Sequence, residues 1–185
     1  MLTILTPPAV EPVSIDEAKR HLRLSSNAED AAIARLIAAA RRVVEERTGR
    51  ALVAQAARLT LDAPPADVAT FPRAPVLSFD AVEVETEAGQ WSAVDPGLYA
   101  VETGEGARIA ATGFWPRPAS PIAGVRIDAS VGYGGAGAAP EELQQAVLLL
   151  TAHLYERREP ADDGRVYVLP HSIEAMLASY RRPRL

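Results

Sequence analysis

The chain has no cysteine in its 185 residues, so disulfides, thiolate nucleophiles and cysteine-based zinc sites are excluded together. Histidine is scarce: His21, His153 and His171 lie far apart and match no metal-ligand spacing. Lysine occurs once, as Lys19, and aromatic residues make up only 5%. Basic charge is outweighed, leaving a formal net charge of −5, and a general nucleic-acid binder would instead carry a basic patch. Long apolar runs are missing too. The longest uncharged helical stretch, Gln144 to Tyr155, falls well short of the roughly 20 residues that span a bilayer. The opening MLTILTPPAVEP has no basic segment and too short an apolar run for a secretory signal, so the chain reads as soluble and cytoplasmic.

What is present is ample apolar material, 48% of residues, in an order of helices, then short strands, then helices. Ser14-Ile15-Asp16-Glu17 is a capping box that predicts a short helix ending near Leu24. Ser26-Asn27-Ala28-Glu29 reads as a second box opening a longer helix. There Ile33, Leu36, Ile37, Ala40, Val43 and Val44 form one apolar stripe. Arg41, Arg42, Glu45, Glu46 and Arg47 load the opposite face and the last turns, and Gly49 supplies the stop.

From Ala51 the period shortens to two. Leu59–Asp62, Val76–Phe79, Val82–Glu85, Leu98–Val101, Arg108–Ala110 and Val125–Val131 predict short antiparallel strands broken by Pro and Gly, a small sandwich or barrel. Gly132–Gly137 is an exit loop. Pro140 suits a first helical position, with Glu141 and Glu142 at the positive end of the dipole. The helix that follows carries Leu143, Val147, Leu150 and Leu154 on one face, and Ala146, Leu148, Leu149 and Ala152 extend the apolar surface nearly all round. That pattern implies burial on most sides, in the core or partly against a neighbouring subunit. Ser172 reads as the cap of a last helix, Ile173 to Tyr180.

Catalytic chemistry is not evident. The Gly run at 132–137 lacks the Gly-Lys-Ser/Thr ending of a phosphate loop, and the glutamates after it would repel phosphate. His153 with Glu156 and Glu159 offers one imidazole and no second, and no Gly-x-Ser-x-Gly elbow occurs. Asp162 and Asp163 read as a solvated acidic loop. Trp91, Trp115 and Tyr133 would serve a carbohydrate or protein ligand if they formed a row on one exposed face of the β part; buried, they are core. A hydrolase using His153 and Glu156 would require a deep pocket around His153. We expect no catalytic residues, no metal site and no cofactor. One cluster breaks the acidic trend: Arg181, Arg182 and Arg184 with Leu185 form a compact basic end after the last helix, suited to an acidic groove on a partner.

The series Pro12-Val13-Ser14-Ile15-Asp16-Glu17-Ala18-Lys19-x-His21-Leu22-Arg23, Glu29-Asp30-x-x-Ile33-x-x-Leu36-Ile37 and Glu45-x-x-Thr48-Gly49-Arg50 resembles the head–tail connector, or adaptor, proteins of tailed phages and of gene transfer agents. Val131-Gly132-Tyr133-Gly134, Pro140-Glu141-x-Leu143 and His153-Leu154-Tyr155-x-x-Arg158-Glu159 continue the likeness over most of the chain. The resemblance implies a neck subunit, assembled in the bacterial cytoplasm, that forms a ring of twelve copies between portal and tail. Its implied partners are the portal protein, neighbouring copies, the next neck or tail-completion protein, and DNA passing through the lumen without sequence-specific binding; no membrane is involved. It also implies a portal contact through Tyr180, Arg181, Arg182, Arg184 and Leu185. A C-terminal helix packed inside the subunit core with its arginines paired internally would overturn that contact.

The expected architecture is therefore α+β. Residues 1–50 and 132–180 form a helical bundle core of three main helices plus a C-terminal one, 51–131 an inserted antiparallel β module, and 181–185 a basic tail.

Overall fold

The computed structural model describes residues 1–157 and 169–181, which form two compact units. One takes Met1–Ala9 and Ala54–Tyr133; the other takes Val10–Val53 and the described residues from Gly134 onward.

The first unit is all β: β1 (Leu2–Thr6), β2 (Gln55–Leu61), β3 (Val68–Thr70), β4 (Val76–Glu87), β5 (Gln90–Ala93), β6 (Tyr99–Glu102), β7 (Arg108–Ala111) and β8 (Val125–Val131). A five-stranded sheet runs β1-β2-β8-β4-β5 and a three-stranded one β3-β7-β6, every pairing antiparallel. The central strand β8 shows why alternation decides the register. Val125, Ile127, Ala129 and Val131 are buried, and the residues between them are only half-buried. Leu59, Ile127 and Val82 line up across three strands, as do Leu61, Val125 and Val84, so each inward row is apolar. A one-residue slip would turn every one of these side chains outward. Phe71, fully buried, meets Phe79 of β4 edge-on with ring centres 5.9 Å apart.

Val76–Phe79 and Val82–Glu85, which the sequence suggests are two strands, are one continuous strand. The inward residues Val76, Phe79 and Val82 are separated by odd intervals, and bulges between Val76 and Ser78 and between Phe79 and Ala81 absorb each change of phase. The N-terminal residues differ from expectation as well. Residues 1–9, assigned from the sequence to the helical core, belong to the β unit, because Leu2–Thr6 pairs with β2 at the sheet edge. All but Leu2 of that strand are exposed, so no alternation marked it.

The second unit holds α1 (Ile15–Leu22), α2 (Asp30–Thr48), α3 (Glu141–Glu156) and α4 (His171–Ala178). Ile33, Ile37, Ala40 and Val44 of α2, Leu143, Ala146, Val147 and Leu150 of α3, and Ile173 and Leu177 of α4 form its core. The capping box at Ser14 is made in full, and Gly49 closes α2 with φ 70°. Two expected caps are not, and one helix start is displaced. At α2 the N-cap is Glu29, whose side chain makes no capping bond, because the Ser26 hydroxyl accepts the Ala28 amide and Glu29 accepts the Tyr155 hydroxyl. Pro140 stands one place before its expected position, with extended backbone at the N-cap of α3. At α4 Pro170 occupies the N-cap, so Ser172 lies inside the helix.

The polar face expected for α2 is also breached. Arg41 and Glu45 are buried, joined at 2.9 Å, with Arg41 also 2.8 Å from Glu11 and the Leu52 amide donating to Glu45. Such a pair is tolerated inside because further hydrogen bonds reach both members, from Glu11 on one side and the Leu52 amide on the other.

Candidate docking surfaces

The C-terminal end is held by charges from three distant stretches of sequence. Ile173 and Leu177 sink one face of α4 into the helical unit. Just beyond it, the Tyr180 hydroxyl donates to the Glu142 carboxylate at 2.9 Å, and the Tyr180 carbonyl accepts from Arg50 Nε at 2.9 Å. The Arg50 guanidinium also lies 5.4 Å from the Tyr180 ring centre. The hydrogen bond to Glu142 pushes the Tyr180 phenol above its ordinary value. The Glu142 carboxyl is held below its own, first by its own backbone amide and then by Tyr180. Glu174 lies 3.6 Å from both Arg47 and Arg181, and the Arg181 side chain stays 45% exposed. Tyr180 and Arg181 are thus engaged with their own helical unit. Arg182, Arg184 and Leu185 lie outside the described residues.

On α3, Leu143, Val147 and Leu150 are wholly buried within the helical unit, while Leu154 is half-buried. Leu148, Leu149 and Ala152, on the remaining sides, are half-buried as well. The helix is therefore a core element with a partly open apolar flank, which is what a nearly all-round apolar pattern leaves when only one face has a partner.

The aromatic platform is not assembled as a row. Trp115 is 6% exposed and donates its indole N–H to the Leu98 carbonyl at 2.8 Å. Trp91 lies under the Arg126 guanidinium, 3.5 Å from its ring centre, and the Tyr133 hydroxyl donates to Glu105. Each ring has a local role inside the β unit, and the burial of Trp115 removes the shared exposed face that ligand binding would need. Trp115 also anchors the long Pro-rich connection between β7 and β8. The residue before it, Phe114, is 98% exposed, and Ile122 on the same connection is 72% exposed. Nothing in the sequence singles out Phe114, since a Phe beside a Trp reads equally well as core.

A cavity of about 510 Å³ lies in the helical unit, where the segment Val10–Ile15 passes α2. Its apolar walls include Val10, Pro12, Val13, Ile15, Ala34 and Ile37; Glu11 and Glu17 are its charged residues. Glu17 accepts both the amide and the hydroxyl of Ser14 at 2.7 Å, and the amide first, then the hydroxyl, hold its carboxyl below the ordinary range. His153 and Glu156, the hydrolase pair suggested by sequence, do not line this cavity. Asp162 and Asp163 fall outside the described residues. Among the described residues, no group of three or more His, Asp or Glu side chains is placed to hold a metal ion, and no helix is long and apolar enough to cross a membrane.

No curated protein matches the chain. Among solved structures, a chain in the neck of an empty gene transfer agent particle, computed with C6 symmetry, is 32% identical. It matches with a TM-score of 0.82, covering 100% of this chain and 97% of that one. A chain from the virion of a native gene transfer agent particle matches at 31% identity and a TM-score of 0.82, with the same coverage. One from the neck of a native particle, computed with C12 symmetry, matches at 30% and 0.78, again over 100% and 97%. The profile of the head completion protein family matches residues 11–183, and across that span of both units the chain belongs to the head completion protein family.

Proposed function

We propose that this protein is a structural subunit of a particle neck, one copy in a ring of twelve between portal and tail, through whose lumen DNA passes. The observation that carries this reading is the likeness, over the whole chain, to subunits of gene transfer agent necks. The role is structural, not catalytic, and the ring docks the portal on one side and the next neck or tail-completion protein on the other. Assembly takes place in the bacterial cytoplasm. A net charge of −5 suits a conduit that must let DNA slide rather than grip it. The partly open flank of α3, with Leu154, Leu148 and Leu149, supplies apolar surface for a neighbouring copy, while Leu143, Val147 and Leu150 keep the helix seated from within.

The portal contact is made by Arg182, Arg184 and Leu185, whose two guanidinium groups suit acidic side chains. Tyr180, clamped by Arg50 and Glu142, and Arg181, paired with Glu174, immediately precede this segment in the sequence and tie the chain there to the helical unit.

The test is electron microscopy of portal-bearing heads mixed either with the full chain or with a chain ending at Arg181, which keeps the Tyr180 clamp. Rings on the portal with the full chain and none with the shortened one are expected. Equal ring formation by both would overturn the tail's part in docking, and no ring with either would overturn the neck reading itself.

A further inference from the structure

The β unit carries an exposed aromatic projection, and the helical unit an apolar cavity. Phe114 is 98% exposed and Ile122 on the same connection 72%, so a surface that covered them would gain the free energy of burying a phenyl ring and an aliphatic side chain. The connection that presents them is fixed on both sides. Thr112 donates its amide to the Leu98 carbonyl and its hydroxyl to the Gly97 carbonyl, and Trp115 donates its indole N–H to Leu98. Farther along, the Ala119 amide donates to the Glu85 carbonyl and the Ala123 amide to the Asp62 carboxylate. Pro116, Pro118 and Pro121 restrict the backbone between these points. A projection this well held loses little further freedom on binding.

The cavity beside α2 measures about 510 Å³, with walls of Val10, Pro12, Val13, Ile15, Ala34 and Ile37. An apolar cavity of about 150 Å³ already admits benzene, so a phenyl ring fits with room for a second side chain such as Ile122. The charges agree as well. Arg117 is the one charged residue between Thr112 and Val125, whereas the charged residues at the cavity are Glu11 and Glu17. Arg41 already pairs with Glu11, which leaves the exposed Glu17, kept ionised by Ser14, to meet Arg117.

We infer that Phe114 of one copy inserts into the cavity beside α2 of the next copy, with Arg117 facing Glu17. The inference rests on the ring reading above and names one of its subunit contacts. Projection and socket are different surfaces of one chain, so the contact is heterologous, the kind that links successive copies around a ring rather than two copies in a pair.

The chain has no cysteine of its own, so Phe114→Cys combined with Ala34→Cys introduces a single reporter pair. Unsubstituted and doubly substituted full-length chains are assembled on portal-bearing heads, imaged, and the latter oxidised with copper phenanthroline. A ladder of disulfide-linked dimers and higher multiples, absent from either single variant, is the expected result. Phe114→Ala, with unchanged melting, is expected to need on the order of tenfold more protein to cap the same portals. Rings that form normally but give no ladder, or a disulfide confined within one chain, overturn the contact and leave the neck reading standing. No ring from the unsubstituted chain overturns the neck reading and this contact with it.

Discussion

The single lysine of the chain is a structural residue. Lys19 on α1 is 7% exposed, forms a hydrogen bond with Asn27 and lies 3.0 Å from Asp30 at the start of α2. Its amine ties the loop between the first two helices, so acylation by an amine-reactive reagent, followed by peptide mass spectrometry, is expected to lag until this corner opens. Labelling of Lys19 in the native protein as fast as in urea would refute that assignment. The Arg41–Glu45 pair makes a stronger demand. Arg41→Ala strands a carboxylate that is 5% exposed, and removing one partner of a buried ion pair costs about 3–5 kcal/mol. Chemical denaturation should show the midpoint falling accordingly; a loss under about 1 kcal/mol would mean that water reaches Glu45. Sequence patterning placed both residues on the solvent side of α2, since charge normally marks the exposed face. Their burial was not legible because the compensating groups, Glu11 and the Leu52 amide, come from flanking segments that no helical period connects.

At the scale of elements, local signals read well and distant ones did not. The cap at Ser14 could be read because donor and acceptor lie three residues apart. Ser14→Ala is expected to cost about 1 kcal/mol of stability. The same change should raise the Glu17 pKa toward the ordinary value of 4.5, followed by carboxyl chemical shifts in NMR. The sign follows from the direction of that shift. A carboxyl whose folded pKa is lowered contributes fully above its ordinary pKa, and the contribution fades as pH falls through the lowered folded value. In Ser14→Ala that acid-side loss of stability should shrink, and an unchanged Glu17 titration would remove the capping role. The strand β8 was legible from its alternation and β4 only as two halves, because its bulges break the phase, whereas β1 and β3 were not legible, one being an exposed edge and the other only three residues long. The basic C-terminal end was legible as a cluster of arginines. Its clamp was not, because Arg50, Glu142 and Tyr180 carry no common motif and meet only once the helices pack. Tyr180→Phe is expected to speed hydrogen exchange across α4 while leaving α2 protected, and equal exchange in both proteins would show that the tyrosine hydroxyl holds nothing.

For the whole molecule, the consequence of the Tyr180 clamp is that tail length and tail attachment become separable in experiment. Removing residues 182–185 is expected to abolish portal capping with no change in melting temperature. Arg50→Ala, which leaves all those residues in place but frees their base, is expected to weaken capping while producing only a modest loss of stability. Capping that withstands Arg50→Ala would mean the tail needs no fixed starting point.

The pairing of Leu2 with Leu59, and of β2 and β4 on either side of β8, also sets a timetable. A growing chain emerges from the ribosome amino end first, at about 5–20 residues per second. Its first strand must wait for β2, and β2 and β4 in turn wait for Val125–Val131 between them. The bundle waits longer still, for α3 to reach α2. The β unit can close once Val125–Val131 has emerged, whereas the helical unit must still wait for α3 and α4, so a surface built on the bundle comes into being later than one built on the sheets alone.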